Sequence, residues 1–330
     1  MRIFGILRLK STKHSDSSRD QRTNIGERGM AEDRNGRDMP ADAPLPPGGC
    51  DCHVHVFEPA RFPLAADRTY TPGLASLPML EAHLAALGLE RVVLVQPSVH
   101  GTDNSCLLDA LERLDGRGRA VAVIDPETTP DSEVKALRNA GVSALRVNLE
   151  SRGETRADFA RDAFTRTAAR AADHGLAVQI YATMPLLSHL ADLIAASAAP
   201  TILDHFAGAK AAAGLEQPGF ADLLHLLAGG KVWVKLSGAY RASSVPGHTD
   251  LDPIARTLIT ARPDRLVWAS DWPHTGGGKE RAERGPFALE PFRDIDDAGA
   301  LRQLRTWCGD AATFHAILCA NAARLFAFPF

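Results

Sequence analysis

Short apolar runs alternate with longer amphipathic segments through most of this sequence, and that alternation is the strongest constraint on its fold. Runs such as 92–96 and 232–236 are rich in Val and Leu, which is typical of strands buried on both faces of a parallel sheet. Eight such runs can be counted, with helical segments between them. Eight β/α units favour a closed (β/α)8 TIM barrel over an open doubly wound sheet.

The predicted elements belong to one domain, residues 46–330. The first strand contains His53 and His55, and the others span residues 92–96, 120–124, 144–148, 177–181, 201–204, 232–236 and 266–269. The predicted helices span residues 79–87, 106–114, 132–140, 158–174, 185–196, 220–227 and 253–261. No G-x-G-x-x-G or G-x-x-x-x-G-K-[ST] segment follows the first strand, so a dinucleotide-binding or P-loop fold has no support.

A His-x-His pair stands at the end of the first predicted strand. His53 and His55 alternate there with the apolar residues Val54 and Val56. Because alternate side chains of a strand point to one face, the two imidazoles project together into one small volume. Such a pair can ligate a metal ion through neutral ring nitrogens, or can polarise a carbonyl and hold anions without a metal.

Polar side chains follow the other predicted strands. In a TIM barrel the carboxyl ends of the strands meet at one rim, where active sites lie, so we expect these side chains to converge. They are Ser98, His100, Asp125, Arg146, Asn148, Tyr181, Asp204, His205, Lys235, Ser237, Arg241, Ser270, Asp271 and His274. Asp271 is the sharpest candidate because it directly follows the eighth strand, where apolar neighbours would tune a carboxylate as a general base or ligand. Its alternative role is an N-cap or turn residue.

Composition restricts the remaining classes of protein. The 330 residues are 45% hydrophobic and 23% charged with a net charge of −3, which predicts an ordered chain without a broad nucleic-acid-binding surface. The five cysteines form no C-x-x-C pair, which favours reduced thiols in a cytoplasm. No apolar stretch approaches the roughly 18–20 residues that span a bilayer. We therefore expect a cytoplasmic protein without membrane or nucleic-acid partners, whose oligomeric state the sequence does not give.

The first 45 residues differ from the rest of the chain. They are rich in Arg, Ser, Asp and Gly, and only residues 3–7 form an apolar run. That run is too short for the hydrophobic region of a signal peptide. The composition predicts a disordered N-terminal extension over residues 1–45, and Met30 and Met39 are alternative starts.

Several segments in combination resemble the amidohydrolase superfamily. Its pattern is a His-x-His on the first strand, a His after a middle strand and an Asp after the eighth, which stand here as HVH, ILDHFAG and ASDWPH. Closer still, CDCHVHVFEPARFPLAADRTYTP, VQPSVHGTDN, GVSALRVNL, ILDHFAG and LVWASDWPH resemble the 2-pyrone-4,6-dicarboxylate lactonase-like family, from residue 50 to residue 328. The resemblance implies a (β/α)8 barrel that hydrolyses a carboxylated lactone.

The resemblance also implies roles for individual residues. Asp271 would take a proton from water, while His53, His55 and His205 would polarise the lactone carbonyl and stabilise the oxyanion. The implied substrate pocket is made of Tyr70, Ser98, His100, Arg146, Arg152, Tyr181 and Arg241. Because a guanidinium group binds both oxygens of a carboxylate, the arginines favour a small anionic lactone as the substrate.

Two departures from the superfamily pattern bear on the chemistry. Metal-dependent members commonly place ligands on middle strands where this chain has Arg146, Tyr181 and Lys235, so we expect no binuclear centre and hydrolysis without a cofactor. Gly208 stands where the pyrone lactonase pattern has an arginine, which leaves the exact lactone open. If one Zn²⁺ is bound, its ligands would be His53, His55, His205 and Asp271.

Other functions stay open at this stage. They are hydrolysis of a sugar-acid lactone (aldonate or aldarate) or of a sulfonated muconolactone, a mononuclear-zinc decarboxylation of an acidic substrate, and ligand binding without catalysis. The decarboxylase would be expected to carry a further histidine near Lys235, where none stands. The glycine-rich segment 275–286 predicts a mobile flap. Histidines expected to be structural are His83, His174, His189, His225 and His315.

Overall fold

Eight parallel strands form a barrel in the computed structural model, which describes residues 43–329. The strands are β1 Cys50–Val54, β2 Thr71–Pro72, β3 Arg91–Val95, β4 Gly118–Ala122, β5 Val142–Asn148, β6 Ala177–Tyr181, β7 Thr201–Leu203, β8 Val232–Ser237, β9 Leu266–Ala269 and β10 Leu289–Glu290. The barrel order is β1-β3-β4-β5-β6-β7-β8-β9, and β2 and β10 pair separately as a two-stranded sheet. The TIM-barrel prediction is therefore confirmed.

Helices lie between the strands and complete the β/α units. They are α1 Leu77–Leu87, α2 Ser105–Arg113, α3 Asp131–Asn139, α4 Ala157–Asp173, α5 Met184–Ser188, α6 Ala191–Ala196, α7 Phe220–Ala228, α8 Ala239–Ala242, α9 Asp252–Ala261, α10 Gly278–Arg284, α11 Asp297–Cys308, α12 Ala311–His315 and α13 Asn321–Phe326. A π-helical turn, Ala316–Ala320, joins α12 to α13. No helix within residues 43–329 is both long and apolar enough to cross a membrane.

The barrel closes through the segments that carry the candidate site. The backbone N–H of Asp271 donates to the His53 carbonyl at 3.0 Å, and that of His55 donates to the Trp272 carbonyl at 2.9 Å. The first strand and the segment after the last strand are thus joined directly. Barrel closure itself sets the spacing between the His-x-His pair and Asp271.

The barrel interior changes from apolar to polar along its axis. Because side chains alternate along each strand, β8 directs Trp233, Lys235 and Ser237 inward and its other residues toward the helices. Near the base, Trp233 packs with an apolar cluster that also contains Cys50 and Phe326. Lys235 lies above that cluster, with its Nζ 6.0 Å from the Phe326 ring centroid. The polar side chains of β8 therefore lie in the upper half of the interior, where the site lies.

The structure differs from the prediction in several element boundaries and in the division of one helix. The strand predicted at 120–124 runs two residues earlier, and the single helix predicted at 185–196 is divided into α5 and α6. The Arg161 guanidinium donates to the His189 carbonyl at 2.7 Å, and this side-chain bond accompanies the break between the two helices. Residues 1–42 of the predicted N-terminal extension lie outside the described residues. The following carbonyls of Ala43 and Pro44 accept hydrogen bonds from Arg305.

The five cysteines are all free and buried. Cys50 and Cys52 pack in the apolar cluster at the barrel base, and burial raises the pKa of the Cys50 thiol well above its usual range. They are packing residues of the barrel interior.

Candidate active site

Four side chains meet at the C-terminal rim of the barrel. His53 lies on β1 and His55 just after it, and His205 and Asp271 each stand two residues beyond a strand, β7 and β9. His53 Nε2 lies 3.3 Å from His55 Nε2, and Asp271 Oδ1 lies 3.7 and 3.8 Å from these two nitrogens. His205 Nε2 lies 3.9 Å from Asp271 Oδ2. The structure thus brings together the four residues that the sequence proposed as catalytic.

Tight turns place two of these four residues. His205 and Asp271 have φ values of 51° and 70°, in the left-handed region that costs a non-glycine residue about 1–3 kcal/mol. The Asp271 turn is held by the N–H of His274, which donates to the Asp271 carbonyl at 2.9 Å. Gly238 leaves room beside both side chains, because a Cβ there would lie 2.9 Å from His205 Nδ1 and 3.2 Å from Asp271 Oδ2.

Asp271 is anchored by one of its two carboxylate oxygens. Its Oδ2 accepts hydrogen bonds from the Tyr240 hydroxyl at 2.7 Å and from Arg241 Nε at 2.5 Å. Burial by itself raises the pKa of a carboxyl group, but Arg241 and the surrounding histidines outweigh burial and hold the pKa of Asp271 well below its usual range. Its Oδ1 faces His53 and His55. Asp271 is therefore an ionised carboxylate with one oxygen directed at the histidines.

His55 and His205 are uncharged at neutral pH. His55 Nδ1 lies 2.7 Å from the Val95 carbonyl oxygen, which can only accept, so this nitrogen carries the proton. Burial, with the Arg146 guanidinium nearby, lowers the pKa of His55 to about 3. His205 Nδ1 lies 3.0 Å from Ser237 Oγ, and burial lowers the pKa of His205 to about 4. Both rings present Nε2 on the side of Asp271.

A buried polar network lies beneath His53. Lys235 Nζ donates to Gln179 Oε1 at 2.7 Å and lies 3.2 Å from His53 Nδ1. Asp204 Oδ1 also lies 3.2 Å from His53 Nδ1, and Asp204 Oδ2 accepts from Gln179 Nε2 at 3.0 Å. Burial lowers the pKa of Lys235 and of His53, whereas His53 and Lys235 overcome burial to hold the pKa of Asp204 well below its usual range.

Asp51 connects the His53 strand to the Asp271 turn. Asp51 Oδ1 accepts from the backbone N–H groups of His53 at 3.2 Å and of Ser270 at 3.0 Å, and Asp51 Oδ2 lies 2.5 Å from Ser270 Oγ. Ser270 Oγ in turn accepts from the Trp272 N–H at 2.9 Å. Burial raises the pKa of Asp51 to about 7. The residues on both sides of Asp271 are therefore fixed through one carboxyl group.

A cavity opens over this cluster, and most of the predicted substrate-binding residues line it. The predicted residues on its walls are Tyr70, Ser98, Arg146, Tyr181 and Arg241, together with His55, His205 and Asp271. Segment 275–286, which the sequence predicts to be a flap, contributes Thr275, Gly277, Gly278 and Arg281. Arg281 bridges to Glu290 at 2.6 Å, and its guanidinium carbon lies 3.9 Å from the Tyr70 ring centroid. The site is thus covered by α10.

Two predicted substrate-binding residues do not line the cavity. His100 is buried in a 3-10 turn at Ser98–His100, with its Nδ1 3.2 Å from the Pro63 carbonyl. The Arg152 side chain is 59% exposed and lies 3.7 Å from Asp67. Among the other strand-end residues, Asp125 accepts from backbone N–H groups of its own turn, and His274 is bonded to Asp297 at 2.8 Å. These residues are supporting or surface groups in this conformation.

Comparison with known proteins gives the family. The family model described as Amidohydrolase matches residues 50–328, which includes every strand of the barrel. The chain belongs to this amidohydrolase family. The first segment of the match is the His-x-His strand, and its last residues pack at the barrel base.

Curated amidohydrolase relatives and solved structures cover nearly the same region. A 4-sulfomuconolactone hydrolase from Rhizobium radiobacter is 36% identical over 88% of this chain and 93% of its own. A 2-pyrone-4,6-dicarboxylate hydrolase from Comamonas testosteroni is 35% identical over 70% of this chain and 78% of its own. A crystal structure of a probable 2-pyrone-4,6-dicarboxylic acid hydrolase from Acinetobacter baumannii, with citric acid bound, is 25% identical with a TM-score of 0.70 and covers 85% of this chain and 100% of its own.

Sequence reasoning missed several residues of the amidohydrolase site, Asp51 among them. Tyr240 donates to Asp271, Gln179 holds both Lys235 and Asp204, and Gly238 leaves the space into which the site side chains converge. A polar residue inside the apolar run 177–181 was a detectable signal for Gln179. Tyr240 follows β8 in a short helix that was not predicted, so no pattern pointed to it.

The cluster also has a geometry that a single divalent cation could use. Ligands of one tetrahedral zinc ion are separated by about 3.4 Å, given bond lengths of about 2.1 Å. The separations among His53 Nε2, His55 Nε2 and Asp271 Oδ1 range from 3.3 to 3.8 Å. These three residues form a group of possible ligands, and His53, Asp204 and His205 form another. The donor set therefore fits one metal ion.

A larger cavity, of about 500 Å³, is lined in part by Tyr240. Its walls include Phe206, Trp268, Trp307 and Asp297. None of His53, His55, His205 and Asp271 lines it. We therefore locate the active site at the smaller cavity over the histidine cluster.

Proposed function

We propose that this chain hydrolyses a small lactone that carries anionic groups, with 2-pyrone-4,6-dicarboxylate as the first candidate and 4-sulfomuconolactone as the second. The two relatives described above are named for hydrolysis of these lactones. The observation that carries the proposal is the placement of Asp271, whose Oδ1 faces two uncharged histidines while Oδ2 is anchored.

The proposed reaction begins with a water molecule beside Asp271 Oδ1. Asp271 takes one proton as the water oxygen bonds to the lactone carbonyl carbon, and the carbonyl oxygen becomes an oxyanion. His205 Nε2, which carries the ring proton when the Ser237 hydroxyl donates to Nδ1, stabilises that charge together with the guanidinium groups on the cavity walls. The ring C–O bond then breaks, the proton held by Asp271 returns to the departing oxygen, and the product is an open-chain carboxylic acid. Every atom of the water is accounted for in this product.

Anion recognition is supported by the arginines on the cavity walls. Arg146 Nη1 donates to the Gln96 carbonyl at 2.8 Å, but its buried Nε has no partner within the described residues. A buried donor without a partner is rare in native proteins and indicates an acceptor that arrives with a ligand or water. Arg241, beside Tyr181 at 5.9 Å from its ring centroid, supplies the second guanidinium group. Together they favour a carboxylate or sulfonate.

We further propose that hydrolysis needs no metal. Arg241 and Lys235 already neutralise Asp271 and Asp204, the two carboxylates of the cluster, at 2.5 and 3.4 Å. If zinc is bound instead, His53, His55 and Asp271 would hold it, with His205 adjacent, and zinc would activate the water as a Lewis acid. The two schemes differ in their response to a chelator.

Substrate access requires a movement in this scheme. The cavity volume is about 90 Å³, whereas sites for small organic ligands typically measure about 300–1,000 Å³. Segment 275–286 carries three consecutive glycines at its start and bears on the cavity through Arg281. We propose that α10 moves outward to admit the lactone.

The direct test of the proposed function is turnover of the two candidate lactones by the purified protein. Loss of the ring absorbance of 2-pyrone-4,6-dicarboxylate would be followed in the ultraviolet, and opening of 4-sulfomuconolactone by chromatography. We expect catalysed opening of at least one, with incorporation of one oxygen atom from ¹⁸O-water. Absence of turnover with both, in the presence and absence of added zinc, would refute the proposal.

A further inference from the structure

The proton positions in the His53–His55 pair follow from their hydrogen-bond partners. An uncharged imidazole carries one N–H and one lone pair. His55 Nδ1 faces the Val95 carbonyl at 2.7 Å, so its N–H is there and its Nε2 presents a lone pair. That lone pair faces His53 Nε2 at 3.3 Å. Whether the pair is hydrogen-bonded or free to chelate is therefore decided by His53 alone.

Two groups of opposite character compete for His53 Nδ1. Asp204 Oδ1, at 3.2 Å, can only accept, and would draw the ring proton to Nδ1. Lys235 Nζ, also at 3.2 Å, can only donate, and would leave Nδ1 as an acceptor. If Asp204 took the proton, the lone pairs of His53 and His55 would face each other. That arrangement needs a cation between the rings or a water molecule that donates to both of them.

The surroundings of Asp204 favour Lys235 in this competition. Asp204 already accepts from Gln179 Nε2 at 3.0 Å, has Lys235 at 3.4 Å, and has Arg146 Nη2 at 3.6 Å. Its need for a further donor is therefore small. Lys235 is completely buried, and its ammonium group has no exposure to water that could supply another acceptor. His53 Nδ1 is the third acceptor of an ammonium group that already contacts Gln179 and Asp204.

We propose that Lys235 is a positioning residue that holds His53 with its proton on Nε2. His53 then donates to His55 Nε2, and the pair forms a hydrogen bond in place of a metal chelate. A carboxylate that hydrogen-bonds a histidine is the common support of a bound metal, because it fixes the metal-binding tautomer. Lys235 Nζ contacts both Asp204 Oδ1, at 3.4 Å, and His53 Nδ1, at 3.2 Å, and by donating to His53 it disables that support. The proton position on His53 does not depend on the proposed function. Its consequence for catalysis rests on the proposed metal-free hydrolysis.

The first test uses the unaltered protein. Long-range ¹H–¹⁵N spectra of the imidazoles, with His53 assigned by comparison with His53→Gln, report which ring nitrogen carries the proton. We expect a protonated Nε2 and an unprotonated Nδ1 on His53, and the reverse on His55. A His53 spectrum with the proton on Nδ1 would overturn the inference, whatever the lactone experiments show.

The second test uses Lys235→Met, with Lys231→Met as the matched control. Lys231 is exposed just before the same strand and contacts only the Ser197 carbonyl among the hydrogen bonds of the described residues. We expect Lys235→Met to move the His53 proton to Nδ1 and to tighten zinc binding by about 10- to 100-fold, the usual effect of a metal ligand's supporting partner. Zinc would be titrated with a competing chelator.

The outcomes separate this inference from the proposed function. Unchanged zinc affinity and an unchanged His53 spectrum in folded Lys235→Met would contradict the positioning role. If Lys235→Met does not fold, the spectrum of the unaltered protein decides. If the His53 proton is on Nε2 but neither lactone is opened, the proposed function fails and the role of Lys235 stands.

Discussion

Arg241 Nε lies 2.5 Å from Asp271 Oδ2, on the side of the carboxylate that faces away from His53 and His55. The guanidinium group therefore anchors the carboxylate and leaves Oδ1 available. Arg241 also donates through Nη2 to Thr275 Oγ1 at 3.1 Å, at the start of the segment that covers the cavity. One side chain thus links the candidate base to the cover of the site.

Arg241→Met should change both the pH profile and the affinity for anions. Burial raises the pKa of Asp271 and the Arg241 guanidinium group lowers it, so the pKa of Asp271 rises when that group is removed. A base must be deprotonated, so activity should be lost at a higher pH on acidification than in the unaltered protein. The lost charged hydrogen bonds should lower kcat/KM by about 10- to 100-fold. The pH dependence of kcat, with exposed Arg256→Met as control, checks this. An unshifted acid limb would contradict the assignment of Asp271 as the base.

Tyr240→Phe should lower kcat with little change in KM. The hydroxyl bonds to Asp271 Oδ2 at 2.7 Å and does not line the small cavity, so its loss loosens the base without removing a substrate contact. A hydrogen bond to a charged group is worth about 1.5–3 kcal/mol, which corresponds to a roughly tenfold or larger effect. Steady-state kinetics on the preferred lactone measure it. A change confined to KM would assign Tyr240 to substrate binding.

Gly238→Ala should abolish activity while most of the fold persists. Its Cβ would lie 2.9 Å from His205 Nδ1, so the imidazole must move away from Asp271. Gly247→Ala is the matched control, because its φ of +71° is also left-handed but no atom lies within 4 Å of the added Cβ. Both variants carry the backbone cost of about 1 kcal/mol or more. Equal activity of the two variants would mean that the close packing at Gly238 is unimportant.

Asp51→Asn should remove the part of the pH dependence of the free energy of unfolding that Asp51 contributes. The pKa of Asp51 is about 7 in the folded protein and 3.8 as the reference value, so its stabilising contribution is complete below about pH 4 and is lost as pH rises to 7. The difference corresponds to roughly 4 kcal/mol across that window. Urea unfolding at several pH values measures the slope. The same slope in Asp51→Asn would assign it to other groups.

The sequence predicted the barrel because its strands are nearly uniform apolar runs, and barrel topology follows from eight such units. Strand-end positions singled out a larger set of polar residues, and the resemblance to the amidohydrolase superfamily selected His53, His55, His205 and Asp271 from it. The break between α5 and α6 was not predictable, since it accompanies a bond from Arg161 on another helix. Likewise, the supporting contacts of Tyr240 and Gly238 depend on distances between separate loops.

Gly208 illustrates a limit of reading specificity from a motif. The pyrone lactonase pattern has an arginine where this sequence has Gly208. In the structure, Gly208 has a φ of +73°, and a Cβ there would lie 2.5 Å from the Ala182 carbonyl oxygen. Backbone packing therefore excludes any side chain there. The positions of Arg146 and Arg241 on the cavity walls are more informative about the substrate than the residue at 208.

The most direct test of the central claim compares the unaltered protein with Asp271→Asn, both treated with a strong chelator and assayed on 2-pyrone-4,6-dicarboxylate and 4-sulfomuconolactone. We expect the chelated unaltered protein to retain its turnover, and Asp271→Asn to lose it by about 10²-fold or more while still binding the lactone. Turnover that disappears with the chelator and returns with zinc would contradict metal-free hydrolysis. Retained turnover in Asp271→Asn would contradict the role of Asp271 as the base.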